Sequence, residues 1–489
     1  MGVRAFYRSD GGNGGRDLFL AMPRSSPYFQ GDGREIPFGN FAPDGDPTAP
    51  GILLDAQGAM PTIKGFRAMA SPVAFGAPLP QLPTGGIVAY YSSGVSSLIV
   101  GTASHLYRYI GGVPTQADVG GAVGVPSGRW RFFQFGDDVI ACAANQAPLV
   151  ATGPTGTFGA LTGSAPFGAT VGCTAQGTAL LFAGALWYSS APSTDNNWTP
   201  SPQTLAATGQ LYDYPGPVVA AVSFYNTVIA FKEVAIWLGQ FIGPPDSWSW
   251  QLISDMTGTW CQESAVVLSD SVAFVGSDDF YETSGNVPQR IPNQCAEWFF
   301  QQANPAYLSN INGWYDEARS TLYWHFVSNA APYTGVPDRF VSYNKRSRRW
   351  CTGYLNTPTI PAPPLFSAPN GAAIYFDINN VPQQLSGPAG PMRLTSGYLG
   401  DPDRLTQAFR WRPKYNFGQA IYPTSQSLAA FHTNVLGVAP TPSPTVPQLG
   451  GDGWFNFRQN DRWHQMSLAT QGDCEVISYS YEGRLAGIR

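Results

Sequence analysis

The sequence predicts an all-β protein: an irregular six- or seven-bladed β-propeller with an additional C-terminal β-sandwich or barrel-like domain and an extended N-terminal arm. Three observations predict it. Gly 55 and Pro 43 make up a fifth of the 489 residues, which points to many turns rather than long helices. Glu supplies only 8 of the 32 acidic residues, and Asp favours turns and caps where Glu favours helix interiors. From about residue 86 a hairpin unit recurs: a short apolar strand, a tight polar or glycine turn, then a second strand carrying aromatics.

Examples of the unit are Leu98-Ile-Val-Gly with His105-Leu-Tyr-Arg-Tyr, Leu180-Leu-Phe-Ala-Gly with Leu186-Trp-Tyr, and Val228-Ile-Ala-Phe with Val234-Ala-Ile-Trp-Leu. Taking starts at 98, 139, 180, 228, 272, 322 and 374, the spacings are 41, 41, 48, 44, 50 and 52. A spacing of that size fits a four-stranded blade, and no helical pattern of crossover length separates the strands. A meander this short cannot bury both of its faces, so neighbours must stack. Trp130, Trp198, Trp248 and Trp350 close several units and are candidates for packing between blades. A series of β-sandwiches is the competing architecture.

The expected boundaries are 1–85 for the N-terminal arm and first strands, 86–390 for the propeller and 391–489 for the C-terminal β-domain. Residues 1–60 are rich in Gly, Pro and Asp, with apolar islands at Leu18–Met22 and Ile52–Leu54. They read as an arm that packs on something else, or as partial disorder. One helix is expected over 293–302, with Trp298, Phe299 and Phe300 clustered on it and Pro305 beyond. In the last domain, strands are expected at 394–399, 408–411, 428–435, 463–468 and 475–481. Between them lies a Pro-rich loop, 439–450, whose prolines lack the donor a sheet needs.

Charged residues are 12% of the chain, about half the roughly 25% usual in soluble domains. Lys occurs only at 64, 232, 345 and 414, so Arg carries most of the positive charge. Sparse charge, many aromatics and Arg over Lys suit large permanent interfaces, because Lys is the harder of the two to desolvate; base composition of a GC-rich genome gives the same bias. The net charge of −5 offers no basic footprint for gripping nucleic acid. No apolar signal core opens the chain, and no stretch reaches the roughly 18 apolar residues of a membrane span. Cys142, Cys173, Cys261, Cys295, Cys351 and Cys474 include no CxxC pair and are expected as buried thiols of a protein made in a reducing cytoplasm.

No catalytic, cofactor or metal site is expected. The histidines at 105, 325, 432 and 464 have no ligand spacing, and there is no nucleophile elbow, phosphate loop or His-Glu-x-x-His. Asp137-Asp138 and Asp278-Asp279 occupy hairpin turns, and Asp401-Pro-Asp403 is followed by no run of oxygen ligands. The enzymatic alternative is a glycan-binding or glycan-hydrolysing propeller. Ser254-Asp-Met-Thr-Gly-Thr-Trp260 and Ser193-Thr-Asp-Asn-Asn-Trp198 approach the Asp box of sialidases, yet their Asp-to-Gly-to-Trp spacing is wrong. A secreted adhesin is a third class. The one dense charge cluster, Lys345, Arg346, Arg348 and Arg349, is a candidate contact for an acidic partner surface or for DNA phosphates, or else a solvated hairpin tip.

One resemblance runs through residues 224–355. Phe224-Tyr-Asn-Thr-Val-Ile-Ala-Phe-Lys-Glu-Val-Ala-Ile-Trp is followed by Gly258-Thr-Trp-Cys-Gln-Glu-Ser264, then by Val272-Ala-Phe-Val-Gly-Ser-Asp-Asp-Phe-Tyr281, Ile291-Pro-Asn and Leu322-Tyr-Trp through Arg349-Trp350. This order, with Arg462-Trp-His and Gly483-Arg-Leu-Ala-Gly near the end, resembles the tail nozzle proteins of short-tailed bacteriophages, also described as tail hub or packaged-DNA-stabilisation proteins. The resemblance spans roughly 86–489 in organisation, through degenerate patterns. It implies a virion structural protein, assembled in the host bacterial cytoplasm, that forms a homohexameric ring below the portal and the tail adaptor protein. The ring would extend the DNA channel, retain packaged DNA until ejection, pass phage DNA through its lumen without specific binding, and offer its outside to tail fibre or spike proteins. No cofactor and no membrane insertion are implied.

Overall fold

All seven repeat starts fall on the second strand of a four-stranded antiparallel sheet, from Ser96–Gly101 in the first to Ala373–Phe376 in the last. The structure, a computed structural model, describes residues 32–121, 123–124, 127–331, 335–354, 366–367, 373–416, 423–444 and 446–488. The island Leu18–Met22 lies outside them. The sheets are blades 1 to 7, covering 85–116, 127–160, 171–210, 220–254, 266–290, 312–354 and 366–389. The first strand of each blade lies against the first strand of the next, and that of blade 7 lies against that of blade 1. The ring is therefore closed, and it is a seven-bladed propeller.

Closure is made by a strand from far upstream. Ala70–Ala74 pairs antiparallel with Pro382–Ala389 as the fourth strand of blade 7. The second strands are apolar on both faces because a neighbouring blade covers each: Val272–Val275 and Thr321–Phe326 are buried at every position. Near the axis there is no room for side chains between first strands. A Cβ on Gly85 would stand 1.8 Å from the carbonyl oxygen of Trp130 in blade 2. Gly85→Ala is therefore expected to force the two strands apart and lower stability by about 1–3 kcal/mol in a urea titration, the usual penalty of overpacking. Gly159, whose added Cβ would meet nothing within 4 Å and whose φ is not positive, supplies the control site for loss of backbone freedom.

The described part of the N-terminal arm, from residue 32, packs on the rest of its own chain. Asp32–Pro37, Ala59–Pro61 and Phe66–Ala68 join Arg404–Tyr415, Phe455–Asp461, Gln448–Leu449 and Glu475–Ile488 in a seven-stranded sheet. Leu53–Gln57 joins Met392–Ser396, Leu399–Gly400, Ser425–Thr433, Thr441–Pro442 and Trp463–Gln471 in a six-stranded one. Both ends of the chain thus build one β-sandwich. One continuous core runs from its inner faces (Phe38, Leu53, Trp411, Tyr479) into blades 5 and 6 (Phe280, Trp324, Trp350).

Two local expectations were altered or sharpened. The Pro-rich segment does touch the sheets: Thr441–Pro442 pairs with Phe431 and His432, and Gln448–Leu449 pairs with Phe455 and Asn456. Both are two-residue edge strands, where a proline can sit with its donorless side away from the ladder. The helix is Ala296–Gln302, in the connection from blade 5 to blade 6. Asn293 Oδ1 accepts from the backbone N–H groups of Cys295 and Ala296 at 3.1 and 2.9 Å. Phe299 meets Phe280 and Phe326 edge-on at 5.1 and 4.7 Å, so the helix braces two blades.

Candidate functional site

Antiparallel pairing fixes which loops share a face of the propeller. Turns between first and second and between third and fourth strands lie on one face; second-to-third turns and blade-to-blade connections lie on the other. The cluster Lys345, Arg346, Arg348 and Arg349 is the third-to-fourth turn of blade 6, between Arg339–Asn344 and Arg349–Tyr354. Arg348 takes a positive φ of 56° there, and the side chains disperse instead of forming one patch. Lys345 Nζ reaches back to blade 5, ion-paired with Asp270 and 3.5 Å from Glu282. Arg349 crosses to the sandwich, with Nη1 3.4 Å from the Gly65 carbonyl and its guanidinium 5.8 Å from the centre of the Phe66 ring. Burial pulls its pKa below the ordinary arginine range. Arg348 is exposed. Arg346 lines a cavity.

That cavity is a cleft of about 700 Å³ between blade 6 and the sandwich. One wall is the 62–65 turn, with Thr62, Ile63 and Lys64, and Arg67 on the strand after it; the other holds Arg319, Asn344 and Arg346, and Asn416 and Glu475 are also among the lining residues. The turn is held in place. Thr62 Oγ1 donates to Glu475, and Arg67 makes a two-pronged bond to Asp473 at 2.6 and 2.5 Å. Arg319 pairs with Asp316 at 2.8 Å, and Asn416 Nδ2 donates to Glu475 at 2.6 Å. Every carboxylate here is engaged. Lys64 and Arg346 have no ion-pair partner among the described residues, and both are exposed.

The propeller axis holds a second charged cluster. Arg129 and Arg131 stand two apart on the first strand of blade 2 and so project to the same side. Glu263, in the turn Gln262–Ser264 that leads into blade 5, meets both: Oε1 is 3.1 Å from Arg131 Nε and Oε2 is 3.7 Å from Arg129 Nη1. Arg131 also donates to the Thr170 carbonyl ahead of blade 3, and Gln262 bonds both backbone groups of Ala221 in blade 4. Burial would raise the Glu263 pKa, but the two guanidiniums outweigh it and hold the carboxyl below its ordinary range. The triad spans the ring from blade 2 to blade 5.

The four tryptophans lie as follows. Trp130 donates from Nε1 to the Thr102 carbonyl of blade 1 at 2.9 Å and packs among Ile99, Leu106 and Val139, between blades 1 and 2. Trp198 packs with Phe133 and Ile140 of blade 2 and Leu181 of blade 3. Trp248 lies with Trp187 of blade 3 and Val228 of blade 4. Trp350 faces Phe280 of blade 5 at 4.7 Å and donates to the Pro292 carbonyl. All six cysteines are buried and free.

Several of the turn carboxylates have local partners, whereas Asp138 Oδ1 is buried without one among the described residues. Asp137 accepts from the Ser92 backbone at 2.7 Å, Asp278 pairs with Arg290, and Asp401 Oδ1 caps the backbone of Asp403 and Arg404. Among the described residues no group of three or more His, Cys, Asp and Glu is placed to hold a metal. His432 and His464 are register partners inside the sandwich. His432 pairs with Asp461 at 2.8 Å, while His464 bonds Thr406 Oγ1 at 2.8 Å and Gln459 at 3.1 Å. Burial pushes the His464 pKa down to about 4. The neutral ring belongs to the folded state, so its stability contribution is complete above an unfolded pKa near 6.5. It is lost as pH falls from there toward 4. His464→Gln is therefore expected to flatten the decline of the urea midpoint between pH 6.5 and 4.5, at the price of lower stability at pH 7.5.

Neither the triad nor the cleft was anticipated. The Arg129-Trp130-Arg131 alternation was the available signal for the first. The cleft joins residues about 280 apart in sequence, from Lys64 to Arg346, and no local pattern announces it. Among known proteins, no family model and no curated protein matches the chain. Among solved structures, BamB from Moraxella catarrhalis is similar over 68% of this chain and 96% of its own, at 12% identity and a TM-score of 0.40. YCF48 from Cyanidioschyzon merolae is similar over 64% of this chain and 98% of its own, at 10% identity and a TM-score of 0.40.

Proposed function

We propose that the protein is a structural component of a short-tailed phage virion, a subunit of the tail nozzle ring that extends the DNA channel below the portal and adaptor and retains packaged DNA until ejection. The observation that carries the reading is the motif order of residues 224–355, which occupies blades 4, 5 and 6 in succession. The charged triad that crosses the propeller ring supports it as well. With Glu263 spent on two guanidiniums, the propeller serves as a wall block, and DNA would pass through the lumen of a homohexamer rather than through one subunit. A mildly acidic, sparsely charged chain lets a duplex slide, because it offers few cations to neutralise phosphates. Binding of fibres or spikes outside the ring and the absence of catalysis belong to the same reading.

Mass spectrometry of purified virions is the test, together with the native mass of the recombinant chain. The expected result is one hexamer per particle. A strictly monomeric chain that purified particles lack would overturn the proposal.

A further inference from the structure

The cleft and a second surface on the opposite face of the propeller are complementary in charge. The second surface is built from three loops: the connection 211–217 into blade 4, the turn 232–235 within it, and the connection 255–261 out of it. By the antiparallel rule these share one face, while the 317–320 and 345–348 turns of blade 6, which wall the cleft, lie on the other. Buried Lys232 draws the three loops together. Its Nζ donates to the carbonyls of Leu211 and Tyr214, its carbonyl accepts from Thr259 N at 3.0 Å, and the Tyr214 hydroxyl donates to Asp255 at 3.0 Å. Above this anchor, Asp213, Glu233 and Asp255 are exposed beside Tyr212 (70% exposed) and Met256 (82% exposed).

The cleft presents the converse chemistry. Lys64 and Arg346 are free cations, and the apolar rim is Ile63, 72% exposed. Its volume of about 700 Å³ lies in the range of pockets that enclose a ligand, roughly 300–1,000 Å³, and would take a loop tip. A nucleic-acid backbone suits it less. Glu475 and Asp473 remain within or beside the lining, and a run of phosphates spaced along a strand would meet them.

We infer that the cleft of one copy receives the Asp213–Glu233–Met256 surface of a second copy. The two surfaces differ and lie on opposite faces, so the contact is head-to-tail and closes into a ring where the rotation permits. The inference rests on the self-assembly part of the proposed function and adds the surfaces that perform it. Both carry exposed side chains, so charge reversal leaves the core untouched.

The test uses the full chain in sedimentation velocity. Lys64→Glu with Arg346→Glu, and separately Asp213→Lys with Glu233→Lys, are each expected to weaken self-association at least about tenfold, as loss of complementary charge at an interface does. Matching near-ultraviolet circular dichroism would show both variants folded. Mixed together, they are expected to associate again, since the intact acidic surface of one meets the intact cleft of the other and the two reversed surfaces are once more opposite in charge. Wild type that assembles with both variants unchanged would overturn the inference while leaving the ring. A mixture that does not pair would overturn it too, as would duplex DNA binding that Lys64→Glu with Arg346→Glu abolishes without altering assembly. A strictly monomeric wild type would remove the ring as well.

Discussion

Replacing Glu263 by Leu is expected to destabilise the protein by about 3–5 kcal/mol, the effect of removing one partner from a buried ion pair. The size follows from what remains. Arg129 and Arg131 are mostly covered, with side chains 15% and 21% exposed, and without the carboxylate two guanidiniums lie side by side on one strand with no counter-charge. Arg131 would keep one carbonyl acceptor at Thr170 and Arg129 one at Asn310, too little for two charges. The triple replacement Arg129→Met, Arg131→Met and Glu263→Leu should therefore cost much less than Glu263→Leu alone, because no charge is left buried. The pH profile carries the same sign. The Glu263 pKa is lowered on folding, so its contribution is present above the unfolded carboxyl value of about 4.3 and is lost as pH falls below it. Urea midpoints from pH 7 to pH 3 would show a steeper acid decline in wild type than in the triple variant. A Glu263→Leu protein as stable as wild type would mean that the axis is wet and the triad an ordinary surface pair.

How much of this was legible in the sequence depends on which strand of each blade is considered. Second strands such as Val139 to Cys142 and Leu180 to Phe182 are covered on both faces and stay apolar throughout. They announce themselves as short hydrophobic runs. Inner strands such as Val266–Val267 and outer ones such as Gly159–Ala160 are only two residues long and leave no periodicity to read. Blade number was narrowed to six or seven for the same reason: one fully covered strand per blade gave seven starts at irregular spacing. Blade 7 could not be completed from its own stretch, because Ala70–Ala74 closes it from some 300 residues upstream. The sandwich was half legible. Trp463 to Leu468 and Glu475 to Tyr481 carry enough apolar residues to read as strands, whereas Phe455–Asp461 buries Gln459 and Asp461 where apolar residues would mark a strand. The cluster at 345–349 was visible as charge, but charge density does not say which cations are already taken. Asp270 lies 75 residues away from Lys345, and only the fold brings them together.

Trp350→Ala is expected to cost about 3–5 kcal/mol and also to divide the unfolding transition. The side chain is completely buried and lies against Phe280 at 4.7 Å, Tyr343 at 4.8 Å and Trp324 at 6.4 Å. Its Nε1 donates to the Pro292 carbonyl at 2.9 Å, ahead of the bracing helix. Its backbone N–H donates to Asn40 Oδ1 at 2.9 Å and its carbonyl accepts from Phe41, so the sandwich's N-terminal segment is laced to the same residue. Next to it, the Cys351 thiol reaches the carbonyls of Ala56 and Ala59. Trp350 thus sits where blades 5 and 6 and the sandwich share one core. A cavity there loosens both units from each other, whereas Trp198→Ala opens a cavity confined to blades 2 and 3. Calorimetry should accordingly show two resolved transitions for Trp350→Ala and one for Trp198→Ala, although both remove a buried indole. Trp350→Phe, which keeps the stacking face and loses the donor to Pro292, should lie between wild type and Trp350→Ala in midpoint and retain a single transition. If Trp350→Ala and Trp198→Ala both unfold in one step, the shared core does not couple the propeller to the sandwich, and the two units are held together by the strands of 32–74 alone.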